Sequence, residues 1–145
     1  MDINLPVQVN EAKPIIIKAL DKWKENLIAL SIVAHGKDAE PFTQMVLSPS
    51  TSWSVNECLK FILPQTRSLK KYQGIILDLC QGIKGIKLSI FSSLEQGTPN
   101  TWVAGCNKDS DWDKDAKQEG QWWEEMVANN HKATQNPEGW STFYF

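Results

Sequence analysis

GIILDLCQG, residues 74–82, is an apolar run framed by glycines that stops at a cysteine. Isoleucine and leucine bounded by turn formers are the pattern of a buried strand. A second run of the same kind, LIALSIVAHG at 27–36, ends on His35 and Gly36. Charged residues vanish together after Asn26 and Gly-Lys-Asp follows, so 27–34 also reads as a strand, although an apolar run of this length fits a helix tail by periodicity. Parallel, neighbouring strands here would bring His35 and Cys80 to one sheet edge, the C-terminal edge where open sheets gather ligand-contacting side chains. The segment between them is long enough to be the crossover that parallel pairing requires.

The rest of the chain arranges itself around these two runs. Pro14 suits the first turn of a helix starting near Asn10 or Glu11, with Ile16, Leu20, Trp23 and Leu27 on one face. FTQMVLSPS (42–50) reads as a short extended piece closed by a Ser-Pro turn. Ser54 and Glu57 form an S-x-x-E capping box opening a helix to about Leu63, which Pro64 stops. NTWVAGC (100–106) reads as another strand. DSDWDKDAKQEGQWWEEMVANNHK (109–132) reads as a helix with Ser110 and Asp113 as its capping box and with Trp112, Ala116, Trp123, Met126 and Val127 on one face. GWSTFYF (139–145) reads as an edge strand or a docked tail. Residues 84–95 fit either a strand or a helix face. A helix there makes 74–106 a β-α-β unit within an α/β fold; a strand makes it a three-stranded antiparallel meander within an α+β fold.

Composition narrows the functional classes. A chain of 145 residues with 41% hydrophobic and 22% charged residues suits one soluble domain, spanning 1–145. Net charge is −2, and Arg67 is the one arginine, so phosphate and base-edge recognition by arginine forks is disfavoured and no nucleic-acid partner is expected. MDINLPVQVNEAK lacks a signal-peptide pattern, and no apolar run approaches the roughly 18 residues of a membrane span, so a cytoplasmic protein with no membrane partner is expected. Cys58, Cys80 and Cys106 are too widely spaced for a disulfide framework or a zinc knuckle. Asp109, Asp111, Asp113 and Asp115 alternate like a calcium loop, but the sixth and twelfth positions hold Lys114 and Gly120 where glycine and glutamate are needed. They read as a helix start that complements the dipole, and neither metal nor other cofactor is expected. GIKG (82–85) has the form of a backbone-clamping G-x-x-G loop, but a strand precedes it and it reads as a turn.

An apolar strand ending in His-Gly (SIVAHG), followed some tens of residues later by one ending in D-x-C-x-G (LDLCQG), resembles the caspase and metacaspase group, including the bacterial CHAT domains. More loosely, the resemblance runs from about residue 10 to 130. It implies a three-layer α/β domain with a mostly parallel sheet and flanking helices. It further implies Cys80 as nucleophile, His35 as acid/base, and the N–H groups of Gly36 and Cys80 as an oxyanion hole. Asp78 stands where metacaspases carry the acidic residue that selects a basic side chain before the scissile bond, so a peptide or protein substrate cut after arginine or lysine is implied. The family has strands ahead of its histidine block, and only ten residues precede the first helix here. The second reading is therefore a non-catalytic interaction domain. Five of the seven tryptophans lie in the last 44 residues, and Trp122, Trp123 and Trp140 would supply a face for a protein partner or a second copy.

Overall fold

The computed structural model describes residues 4, 8–84, 101–109, 112–129 and 138–144. They form a mixed α/β structure with two sheets. The order is α1 (Val9–Trp23), β1 (Ala29–Val33), β2 (His35–Lys37), β3 (Gln44–Ser48), β4 (Thr51–Ser54), α2 (Val55–Gln65), a 3-10 turn (Thr66–Ser68), β5 (Gly74–Asp78), β6 (Trp102–Cys106), α3 (Trp112–Ala128) and β7 (Trp140–Tyr144). The main sheet has the order β1-β5-β6-β7, and β2, β3 and β4 make a separate antiparallel sheet.

The two apolar runs, 27–34 and 74–80, are direct neighbours. β1 and β5 pair in parallel, with Ala29 opposite Gly74 and Val33 opposite Asp78. β5 and β6 also pair in parallel, Gly74 opposite Trp102. This overturns the antiparallel meander over 74–106, because two adjacent parallel strands require a crossover between them. Whether 84–95 is helix or strand lies, beyond Lys84, outside the described residues. β7 runs antiparallel to β6, Trp102 opposite Tyr144, so GWSTFYF does supply an edge strand and the sheet is mixed.

Side-chain alternation along β5 divides the interior in two. Ile75 and Leu77 belong to a cluster with Leu59, Ile62 and Leu63 of α2, Met45 and Trp53 of the small sheet, and Val103. Ile76 belongs to another with Trp102, Ala104, Cys106, Trp122, Met126 and Trp140. Successive strand residues point to opposite faces, and Gly74–Leu77 are all buried, as a central strand with two apolar faces demands.

Several local expectations are corrected. Pro14 is the sixth residue of α1, past the first turn, and it is exposed. Ser54 precedes α2 but its side chain makes no cap, because it is still the last residue of β4 and pairs with Gln44. The first helical N–H, that of Val55, instead donates to the Thr43 carbonyl at 3.0 Å, and Glu57 turns to Lys60 at 3.5 Å. Pro64 does not stop α2, which runs on to Gln65 and into the 3-10 turn. On α3, among the side chains described, Trp122 and Met126 are buried and Trp123 is half-buried; Ser110 and the side chains of Trp112, Ala116 and Val127 lie outside the described residues. Among the described residues no helix is long and apolar enough to cross a membrane.

Burial also sets an alkaline limit on stability. Desolvation pushes the Cys58 thiol from 9.0 up to about 12, and pushes the Tyr72 hydroxyl up as well. In the unfolded chain both ionise earlier, so between pH 9 and 12 the unfolded state releases a proton that the folded state keeps. Stability is then full below pH 9 and falls by about 1.4 kcal/mol per pH unit from Cys58 alone, with Tyr72 adding above pH 10. Urea midpoints measured from pH 8 to 11 are expected to fall steeply, and in Cys58→Ala to fall with a slope shallower by one proton.

Candidate functional site

Parallel pairing carries the ends of β1 and β5 to the same edge. The ladder continues one step beyond the strands, with the Ala34 N–H donating to the Asp78 carbonyl at 3.4 Å. There the chain turns away from the main sheet. His35 starts β2 rather than ending β1, pairs with Val46 of β3, and is exposed. After Asp78 and the buried Leu79, Cys80 begins a turn and is half-buried.

The contact that joins the two strand ends is made by main chain. A Cβ added at Gly36 would overlap the Cys80 carbonyl oxygen, with the Cys80 carbonyl carbon and nitrogen at 3.2 Å. The Gly36 backbone therefore lies directly on the Cys80 backbone, a close approach that needs a residue without a side chain. Gly36, Cys80 and the carbonyl of Asp78 thus converge at one sheet edge, and His35 is the residue next to that contact. Asp78 is half-buried at the last position of β5.

The turn that holds Cys80 is fastened on several sides. Gln81 has φ +54°, a left-handed conformation uncommon for a residue with a Cβ. Such a conformation costs about 1–2 kcal/mol. Against that cost stand three hydrogen bonds of roughly 0.5–1.5 kcal/mol each. The Gln81 N–H donates to the Lys108 carbonyl at 2.9 Å, its carbonyl accepts from Thr43 Oγ1 at 2.7 Å, and its Nε2 donates to Asp109 Oδ1 at 3.3 Å. Ile83 N–H donates to the Cys106 carbonyl at 3.1 Å, tying the turn to the end of β6. Lys84 pairs with Asp38 and, at 2.8 Å, with Glu40, so the turn is also linked to the loop after β2. Those two carboxylates, Asp38 first, hold the Lys84 ammonium above its usual pKa.

Nothing in the sequence singles out Thr43, Gln81 or Lys84. Their partners are 38, 27 and 46 positions away, and the sign of a backbone angle has no local motif at a glutamine. The signal that was available is weaker: a threonine between Phe42 and a strand, at a position that proves fully buried.

The other thiols are enclosed, Cys58 at 2% and Cys106 at 0% exposure, so Cys80 is the accessible cysteine of the three. Trp122 and Trp140 are core residues, at 3% and 6% exposure, which removes two of the three rings from any surface. Among the described residues no group of three or more His, Cys, Asp or Glu is placed to hold a metal ion. Comparison with protein-family models, curated proteins and solved structures finds no match to this chain.

Proposed function

We propose that the chain is a caspase-like, three-layer α/β domain, and that it is a cysteine endopeptidase acting through Cys80 and His35. The supporting observation is the backbone contact of Gly36 with Cys80 at the shared end of two parallel strands. It joins two segments that chemistry needs together and that lie 45 residues apart in the sequence.

In this reading the His35 imidazole takes the Cys80 proton, and the thiolate attacks the carbonyl carbon of a bound peptide. Main-chain N–H groups of Gly36 and Cys80 hold the oxyanion of the tetrahedral intermediate. The C–N bond breaks, the leaving amine takes the proton from His35, and water then hydrolyses the thioester. Asp78, one residue from the turn, is proposed to select arginine or lysine before the cleaved bond. The burial of Trp122 and Trp140 leaves the non-catalytic reading without two of the residues that would form its face.

The test is alkylation by iodoacetamide between pH 5 and 9, read at each cysteine by mass spectrometry, on the wild type and His35→Ala. Cys58 and Cys106 in urea give the reference rate of unperturbed thiols. Cys80 is expected to react alone in the folded protein, faster than the reference below pH 8, and to lose that advantage in His35→Ala. Peptides with arginine or lysine before a fluorogenic amide then report turnover, which Cys80→Ala should lower by more than about a thousandfold. A Cys80 rate that His35→Ala leaves unchanged across the pH range rules the dyad out.

A further inference from the structure

We infer that Thr43 and Gln81 are positioning residues for Cys80, an inference that rests on the peptidase reading. Thr43 works in two directions at once. Its carbonyl accepts the first N–H of α2, from Val55, at 3.0 Å, and its hydroxyl donates to the Gln81 carbonyl at 2.7 Å. The Thr43 side chain is fully buried and Gln81 is half-buried, so the donor end of this bond is shielded from water. A turn needed only to reverse the chain would place glycine at the left-handed position, and Gly82 stands one residue later. Glutamine at that position instead adds a bond from its amide to Asp109, and the residue that follows Cys80 is fixed at its N–H, its carbonyl and its side chain together.

The consequence concerns the nucleophile directly. Cys80 has a single flexible dihedral, so the place of its sulfur is set by the backbone on either side. Upstream that backbone is the β5 ladder and the Gly36 contact. Downstream it is Gln81, and Thr43 is what holds the Gln81 carbonyl. Reacting atoms must sit within a few tenths of an ångström of their productive places, so loosening the residue after Cys80 should slow the reaction more than it unsettles the fold.

The experiment measures the His35-dependent part of Cys80 alkylation by iodoacetamide, with its pH profile, in Thr43→Val, Thr43→Ser and Gln81→Gly. Melting temperature and circular dichroism are recorded for each. Thr43→Val is expected to reduce the His35-dependent rate about tenfold and to move its pH profile toward that of an ordinary thiol. Thr43→Ser, which keeps the hydroxyl, should restore both. Gln81→Gly accepts the left-handed angle freely and so stays folded even where Thr43→Val does not. It keeps both main-chain bonds and loses only the one to Asp109, so it is expected to keep its melting temperature and to lower the His35-dependent rate by a few-fold, less than Thr43→Val.

If Thr43→Val and Gln81→Gly both retain the full His35-dependent rate and profile, the positioning role is wrong. If every variant loses rate only in proportion to lost folded protein, the two residues are structural and the inference fails. A wild type with no His35 dependence overturns the peptidase reading first, and this one with it.

Discussion

Gly36→Ala is expected to destabilise the protein by about 3 kcal/mol, the upper end of the usual cost of overpacking. The added methyl would overlap the Cys80 carbonyl oxygen and press on its carbon and nitrogen, and these are main-chain atoms with no rotamer to change. β5 cannot retreat, because it is hydrogen-bonded to β1 on one side and β6 on the other. The Gln81 turn cannot retreat either, being held by Thr43 and Lys108. For a chain of this size the melting temperature should fall by about 10 °C. Urea denaturation checks the stability, and Cys80 alkylation in the same samples checks the site. A midpoint equal to that of the wild type would mean that Gly36 and Cys80 are not in contact, and the assembly of the site would have to be abandoned.

The second large effect concerns Gly74 and Trp102, opposite each other on β5 and β6. A Cβ at Gly74 would enter the Trp102 indole, overlapping its fused-ring atoms. That ring is fully buried and stands edge-on to Trp122 and Trp123, with centroids at 5.1 and 5.8 Å, so it has nowhere to go. Gly74→Ala should therefore cost about 3 kcal/mol. Trp102→Leu removes much of a large buried side chain and should cost about 3 kcal/mol as well. Their sum overstates the double variant, since the smaller leucine side chain would leave room for the new methyl. A coupling of about 1–3 kcal/mol between the sites is expected from a double-mutant cycle. Strict additivity would show that glycine is not at 74 to make space for the ring.

The parallel core was legible because it is written in composition. LIALSIVA and GIILDLC carry almost no charge; the second, framed by Gly74 and Gly82, is the central strand buried on both faces, while the first proves to be an edge strand with Ser31 and Val33 exposed. Their ends named His35, Gly36, Asp78 and Cys80 as residues at one sheet edge. Pairing was less legible. Whether β5 meets β6 in parallel depends on a crossover and on contacts far apart in sequence, and local alternation carries neither. Ser54 misled for a related reason. Its S-x-x-E spacing fits a capping box, but a serine committed to a strand has no freedom to cap, and a distant carbonyl at Thr43 had already taken the helix N–H. Of Trp122 and Trp123, the more buried is decided by a rotation of α3 smaller than the error of a helical wheel.

The Cys80 turn has a further property that follows from how its anchors are distributed along the chain. Gly36 and Thr43 are synthesised well before Cys80, and Cys106, Lys108 and Asp109 well after it. Translation adds about 5–20 residues per second. A nascent chain that has just exposed Cys80 therefore spends more than a second without the downstream anchors, and β6 is paired on its outer side only once Trp140–Tyr144 have emerged. During that interval the turn is held from one side only, and the backbone around Cys80 gains its remaining anchors only when the sheet is complete. The order of synthesis acts as a delay, built from topology alone, between making the cysteine and fixing the backbone around it.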